Sequence, residues 1–164
     1  MHKINIKSSN KSKAIIATLL IAIFGCITFL FPIILIYLIP QSGVGHYFYD
    51  HINYPFLSLP VIMYFLYTGI YYYKIKVDPY VIDITTYRTI SGLFKKKDFV
   101  DIPHTMLTDY TFFDRPLSFN KTLMLKIETD SGKKITKRFN LSLISEKEIE
   151  KISNVFDRII ANNN

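Results

Sequence analysis

Hydrophobic positions fall along this chain in two rhythms: nearly unbroken apolar runs up to about residue 73, and short stretches of period two or 3.6 after it. From Ala14 to Ile39 no residue is charged, and 17 of the 26 are Ile, Leu or Phe. At roughly −0.3 to −0.6 kcal/mol each on the insertion scale, those side chains alone contribute about −5 to −10 kcal/mol. The run predicts a transmembrane helix over residues 14–39, about 39 Å long at ~1.5 Å per residue, which should tilt or bend at Pro32 to fit a ~30 Å hydrocarbon core. A cleaved secretory signal is the competing reading, favoured by Lys3, Lys7, Lys11 and Lys13 in the basic tail 1–13. Against it, the apolar run far exceeds the usual ~7 to 15 residues and no small-x-small cleavage site follows.

A second uncharged segment, 54–73, is diluted by Pro55, Ser58 and Pro60 but carries aromatic residues at both boundaries. Tyr47, Phe48, Tyr49 and Tyr54 at one end and Tyr71, Tyr72 and Tyr73 at the other read as interfacial belts. The two spans predict a membrane α-helical hairpin joined by an extracytoplasmic loop, 40–53. That loop has no Lys or Arg, whereas the leading tail has four Lys and Lys74 and Lys76 follow the second span. Basic flanks on both outer sides put both termini in the cytoplasm of an integral, multi-pass inner or plasma membrane protein.

From residue 77 to 161 the pattern predicts a cytosolic α+β domain. Tyr80, Ile82 and Ile84 alternate with Val81, Asp83 and Thr85, and further strands are expected near Tyr87–Ile90, Lys97–Ile102 and Met106–Phe113. Leu123, Leu125 and Ile127 point one way and Met124, Lys126 and Glu128 the other; Asp130-Ser131-Gly132 then turns the chain into Lys134–Leu141, a β-hairpin. Ser145 with Glu148 forms a capping box ahead of Ile149, Ile152, Val155, Phe156, Ile159 and Ile160, an amphipathic helix ending in a frayed Asn162–Asn164. Some six strands and one helix suggest an antiparallel β-roll or barrel capped by the C-terminal helix.

The stretches "YVIDITTYRTISGLFKKKDFVDIP" and "LMLKIETDSGKKITKRFNLSLISEKEIEKI" resemble the bacterial PH-like domains of small membrane proteins. The resemblance covers about half the chain, and implies a seven-stranded barrel closed by a helix and a role in binding rather than catalysis.

Composition narrows the chemistry. Twenty Lys and Arg face thirteen Asp and Glu, and only Asp50 precedes Asp78 among the acids. A single cysteine, Cys26, excludes an intramolecular disulfide framework and any multi-cysteine metal knuckle. Lys95, Lys96 and Lys97 form the densest basic run, and Lys133, Lys134, Lys137 and Arg138 gather around the later hairpin. Beside an anionic leaflet each contributes about 1 kcal/mol of attraction, decaying over a Debye length of ~8 Å. Lys95, Lys96, Lys97, Lys133, Lys134 and Arg138 are therefore the candidate site for anionic lipid headgroups or a protein partner, with plain solvation as the alternative. Nucleic acid is a poorer partner, because no aromatic and basic platform is interleaved in the sequence.

His46, Asp50 and His51 have ligand chemistry at helical spacing, but the loop is short and aromatic and they read as interfacial residues. His104 reads as a turn residue. Asp98 with Asp101, and Asp109 with Asp114, lack a nucleophile or glycine-rich loop and read as surface charges. No catalytic residue, metal or cofactor is expected. The sequence predicts a non-enzymatic membrane protein presenting an interaction domain; the competing class is an accessory subunit assembled through its helices, with Gly25, Thr28, Ser58, Thr68 and Gly69 allowing close contact.

Overall fold

The structure, a computed structural model, describes residues 5–89 and 98–163. It divides into two units, one comprising 1–14 together with 70–164 and the other 15–69.

The second unit is helical and apolar. Helix α1 (Lys11–Gly25) runs through a π-helical turn, Cys26–Leu30, into α2 (Phe31–Leu38). Pro32 has no N–H to donate and its ring crowds the carbonyl four residues back, so the ladder widens ahead of it. Thr28 Oγ1 donates to the Phe24 carbonyl at 2.7 Å within this region. The continuous stretch Lys11–Leu38 is 28 residues, and it is the one helix among the described residues long and apolar enough to cross a membrane. Helix α3 (Gly43–Asp50) is capped by Ser42, whose Oγ accepts from the Gly45 amide at 2.9 Å. Helix α4 (Asn53–Thr68) is 16 residues, about 24 Å at ~1.5 Å per residue. It ends at Gly69, which takes a φ of 70° that a side chain would strain.

The first unit is an α+β domain that has, among the described residues, seven strands and a helix: β1 (Ile6–Ser9), β2 (Tyr71–Val77), β3 (Val81–Arg88), β4 (Asp98–Pro103), β5 (Leu107–Asp114), β6 (Asn120–Glu128), β7 (Lys134–Ser142) and α5 (Glu146–Asn163). The strands form two antiparallel sheets, ordered β1-β2-β3-β4 and β5-β6-β7. No ladder joins the sheets, so the expected closed barrel is not formed among the described residues. The core lies between the sheets and α5. Ile75, Val77, Ile82 and Ile84 meet Leu123, Leu125, Ile127, Phe139 and Leu141, and the helix contributes Ile152, Val155, Phe156 and Ile159.

Four expectations need correcting. Tyr71, Tyr72 and Tyr73 do not end a helix; they open β2, and Tyr73 is fully buried in the core. The domain starts not at residue 77 but at residue 70, and it takes in a strand from the leading basic tail, because Ile6 pairs with Val77 and Ser9 with Lys74. Residues 81–88 form one strand rather than two, since β3 stays in register with β2 from Ile82 to Arg88. The seven strands thus differ in membership from the six expected. The tail of α5 is also docked rather than frayed: Asn163 Nδ2 donates to the carbonyls of His104 at 2.7 Å and Leu107 at 3.0 Å.

Candidate functional site

Gly132 and Thr129 build the basic turn. Gly132 adopts φ 74°, the conformation a side chain resists, and its amide donates to the Thr129 carbonyl at 2.7 Å. The Thr129 hydroxyl donates to the Lys133 carbonyl and accepts from the Lys133 amide, both at 3.2 Å. Lys133 and Lys134 project from this turn into solvent, with the Lys134 ammonium 3.8 Å from Glu128. Along β7 the side chains then part. Lys134 and Arg138 stand opposite Glu128 and Met124 on the outer face, about 13 Å apart at ~3.3 Å per residue, whereas Lys137 stands opposite buried Leu125 on the other face. The structure therefore brings Lys133 and Lys134 together, puts Arg138 further along the same face and turns Lys137 away. Lys95, Lys96 and Lys97 lie outside the described residues.

The far end of β7 carries a buried polar knot that the sequence analysis missed. Asn10 Nδ2 donates to the Tyr71 carbonyl at 2.8 Å and the Ser142 carbonyl at 2.7 Å, and its Oδ1 accepts from the Tyr73 amide at 2.8 Å. The Tyr71 amide donates to Ser142 Oγ at 2.7 Å, and that hydroxyl donates in turn to Asn120 Oδ1. Asn10, Asn120 and Ser142 are all essentially buried. Side chains thus bridge the seam between the two sheets where backbone pairing does not. β7 is nine residues long, so this knot lies about 26 Å from Lys134 along the strand at ~3.3 Å per residue.

A second polar cluster joins β1 to α5. The capping box is formed, with Ser145 Oγ and the Ser145 amide donating to Glu148 Oε2 at 2.8 and 2.9 Å. Lys13 lies 3.6 Å from the same oxygen, and Ser8 Oγ donates to Glu148 Oε1 at 3.5 Å. Burial pushes the Glu148 carboxyl up, but the Ser145 bonds and the Lys13 charge outweigh it and the net shift is downward. Burial also pushes the nearby Tyr73 phenol up to about 12, against a pull from Ser8 and with the Glu148 charge adding to it. Beside this cluster is an open groove of about 400 Å³, walled by Ile6, Lys7, Ser8 and Ser9 on one side and Glu148 and Lys151 on the other.

The remaining candidates are tied up locally. Asp109 is 2.8 Å from Lys126 directly across β6, which holds its carboxyl below the usual range. Asp114 is 3.0 Å from Lys121, which also reaches Glu146 at 2.7 Å. Asp101 stands opposite Asp83, whose carboxylate is 3.2 Å from Lys74. Burial holds the His104 imidazole below its ordinary value despite backbone hydrogen bonds to Asp78 and Val81. In the helical unit, His46 is 3.4 Å from Asp50, and the His51 ring stacks on Tyr47 with centroids 4.5 Å apart. No cluster of three metal-ligating side chains occurs among the described residues. That unit also holds an open groove of about 530 Å³ lined by apolar side chains including Leu20, Phe24, Ile27, Val61 and Phe65. Compared with known proteins, the chain matches no family model, no curated protein and no solved structure.

Proposed function

We propose that this is a non-enzymatic integral membrane protein whose residues 15–69 cross the bilayer twice and hold a PH-like interaction domain on the cytosolic side. The observation that carries the reading is the pairing of β1 with β2. Ser9 and Lys74 are partners in one sheet, so the chain leaves the domain after Ala14 and returns to the same domain at Ile70. A chain that crosses once and rejoins its own sheet has to cross back. Helix α4 is the segment available for the return: its 16 residues, Asn53–Thr68, carry no charge and give about 24 Å at ~1.5 Å per residue. Lysines flank both outer ends and none lies in 40–53, which supports a cytosolic domain. Two meanders of four and three strands followed by a helix support the PH-like description.

The turn at Lys133 and Lys134 is exposed and stands at the opposite end of β7 from Ser142, and we read it as a surface for a cytosolic protein. Reporter fusions test the topology: a cytosol-dependent fluorophore should work after Asn164 and an export-dependent phosphatase should work between Gln41 and Gly43, with the reverse pattern ending the proposal. Acylation footprinting of the full chain in nanodiscs tests the turn. Equal Lys133 and Lys134 reactivity in neutral and anionic discs supports a protein partner, and protection in anionic discs reassigns the turn to headgroups.

A second reading, an accessory subunit assembled through its helices, is favoured by the apolar groove of the helical unit. There Gly25 allows the Ile62 side chain to approach, its Cδ1 standing 3.6 Å from where a Cβ would lie. A stoichiometric assembly on native gels that disappears with Gly25→Leu would support it.

A further inference from the structure

We infer that the groove between β1 and α5 takes an extended acidic peptide segment of a partner protein, added as a further strand to the open edge of β1. The proposal concerns a different surface from the basic turn and survives or fails independently of it.

The edge is chemically available. β1 ends the order of its sheet, and no described strand pairs with its outer side. The Asn10 amide donates to the Tyr73 carbonyl, and the register pairs Ser8 with Ile75 and Ile6 with Val77. In an antiparallel ladder hydrogen-bonded pairs alternate with open ones, so Ile6, Ser8 and Asn10 turn their backbone groups toward β2. Lys7 and Ser9, both exposed, turn their N–H and C=O groups away from it. An edge that presents unpaired donors and acceptors is a template for another strand unless something blunts it. Among the described residues, the element facing it across the groove is α5.

Charge selects the occupant. Glu148, the one carboxylate among the described residues that line the groove, is already engaged by Lys13, Ser145 and Ser8. Lys7 and Lys151 form no ion pair among the described residues. A second copy of β1 would bring its own lysine to this edge and is disfavoured. Ile6 packs against the core and Ser8 reaches Glu148, so Lys7 stands on the opposite face of the strand from α5 and Lys151. Successive residues of an added strand also alternate in face. The matching peptide therefore carries two neighbouring acidic residues, one for Lys7 and the next for Lys151.

The test uses the full chain in neutral phosphatidylcholine nanodiscs and a blocked, fluorescent octapeptide, Ser-Val-Thr-Glu-Glu-Thr-Val-Ser, with a Lys-Lys counterpart as control. Saturable binding is expected for the acidic peptide only, weakened about tenfold or more by Lys151→Glu and by Lys7→Pro. The proline removes an outward N–H while leaving the β1–β2 hydrogen bonds in place. Lys7→Ala, which keeps the amide, should bind more tightly than Lys7→Pro. As a readout independent of the variants, the peptide should slow amide exchange at Lys7 and Ser9 in the wild-type chain. Absence of saturable binding up to about 1 mM, binding indifferent to Lys7→Pro with unchanged exchange at Lys7 and Ser9, or displacement of the peptide by short-chain phosphatidylglycerol at the same lysines would each overturn the inference.

Discussion

Asn10 and Ser142 are separated by 132 positions in sequence, yet the Asn10 side-chain amide donates to the Ser142 carbonyl at 2.7 Å in the interior of the domain. With Tyr71 and Tyr73 as its other partners, Asn10 ties β1, β2 and β7 together at the place where the chain leaves for the helical unit. Buried amides of this kind matter most through what their loss leaves behind, because each orphaned donor or acceptor keeps its desolvation penalty.

Replacing Asn10 by Ala therefore should lower the stability of the domain by about 3 kcal/mol, since one amide and two carbonyls lose a partner together. Thermal unfolding of the reconstituted chain, followed by near-ultraviolet circular dichroism, measures it. A loss under about 0.5 kcal/mol would mean that water replaces the side chain.

Tyr73 should make the protein alkali-sensitive. Its phenol is pushed up to about 12 in the folded state, against about 10 in an unfolded chain. The folded state thus holds that proton more tightly; the contribution is complete below pH 10 and is lost as the pH rises through about 12. About two units correspond to roughly 2 to 3 kcal/mol. Tyr73→Phe should lose less stability than wild type between pH 10 and pH 12, and parallel curves for the two proteins would refute the assignment.

The loop after β5 holds Leu117 at φ 56° with 90% of its surface exposed. A branched side chain gains little from such exposure and pays in backbone strain, so Leu117→Asn should raise stability by about 0.5 to 1 kcal/mol. A fall in the unfolding midpoint would show that this leucine packs against something in the assembled protein.

Ser145→Ala should cost about 1 kcal/mol, as the first turn of α5 loses its cap and Glu148 loses a hydrogen-bond donor. Because Glu148 also pairs with Lys13, the effect on the cap should shrink in Lys13→Ala, and a double-mutant cycle reads that coupling.

The parts of this fold that the sequence announces are those whose signals are local. Leu123, Leu125 and Ile127 alternate within one strand, Gly132 marks the turn, and Ser145 with Glu148 caps α5; each becomes core, turn or cap as expected. β1 and β2 are hidden for the opposite reason. A four-residue strand such as Ile6–Ser9 has little pattern of its own, and its partner lies beyond the whole helical unit. Tyr71–Tyr73 follow an apolar helix, where tyrosines suit a membrane boundary, and only the pairing of Tyr72 with Tyr87 and Tyr73 with Thr86 assigns them to a sheet. Of the candidate site, Lys133 and Lys134 are legible because a hairpin turn exposes them. The β1–α5 groove is not legible, because it exists only once β1 has found its partner.

The split of this domain also orders its own assembly in time. On a ribosome the first strand emerges and must wait, unpaired, while the whole of the 15–69 unit is made before its partner appears. Until β2 reaches it, the Asn10 clamp stays unmade and an interior seam stands open to water. Closing that seam is therefore a late event, and it reports that both ends of the helical unit have been brought back to one place.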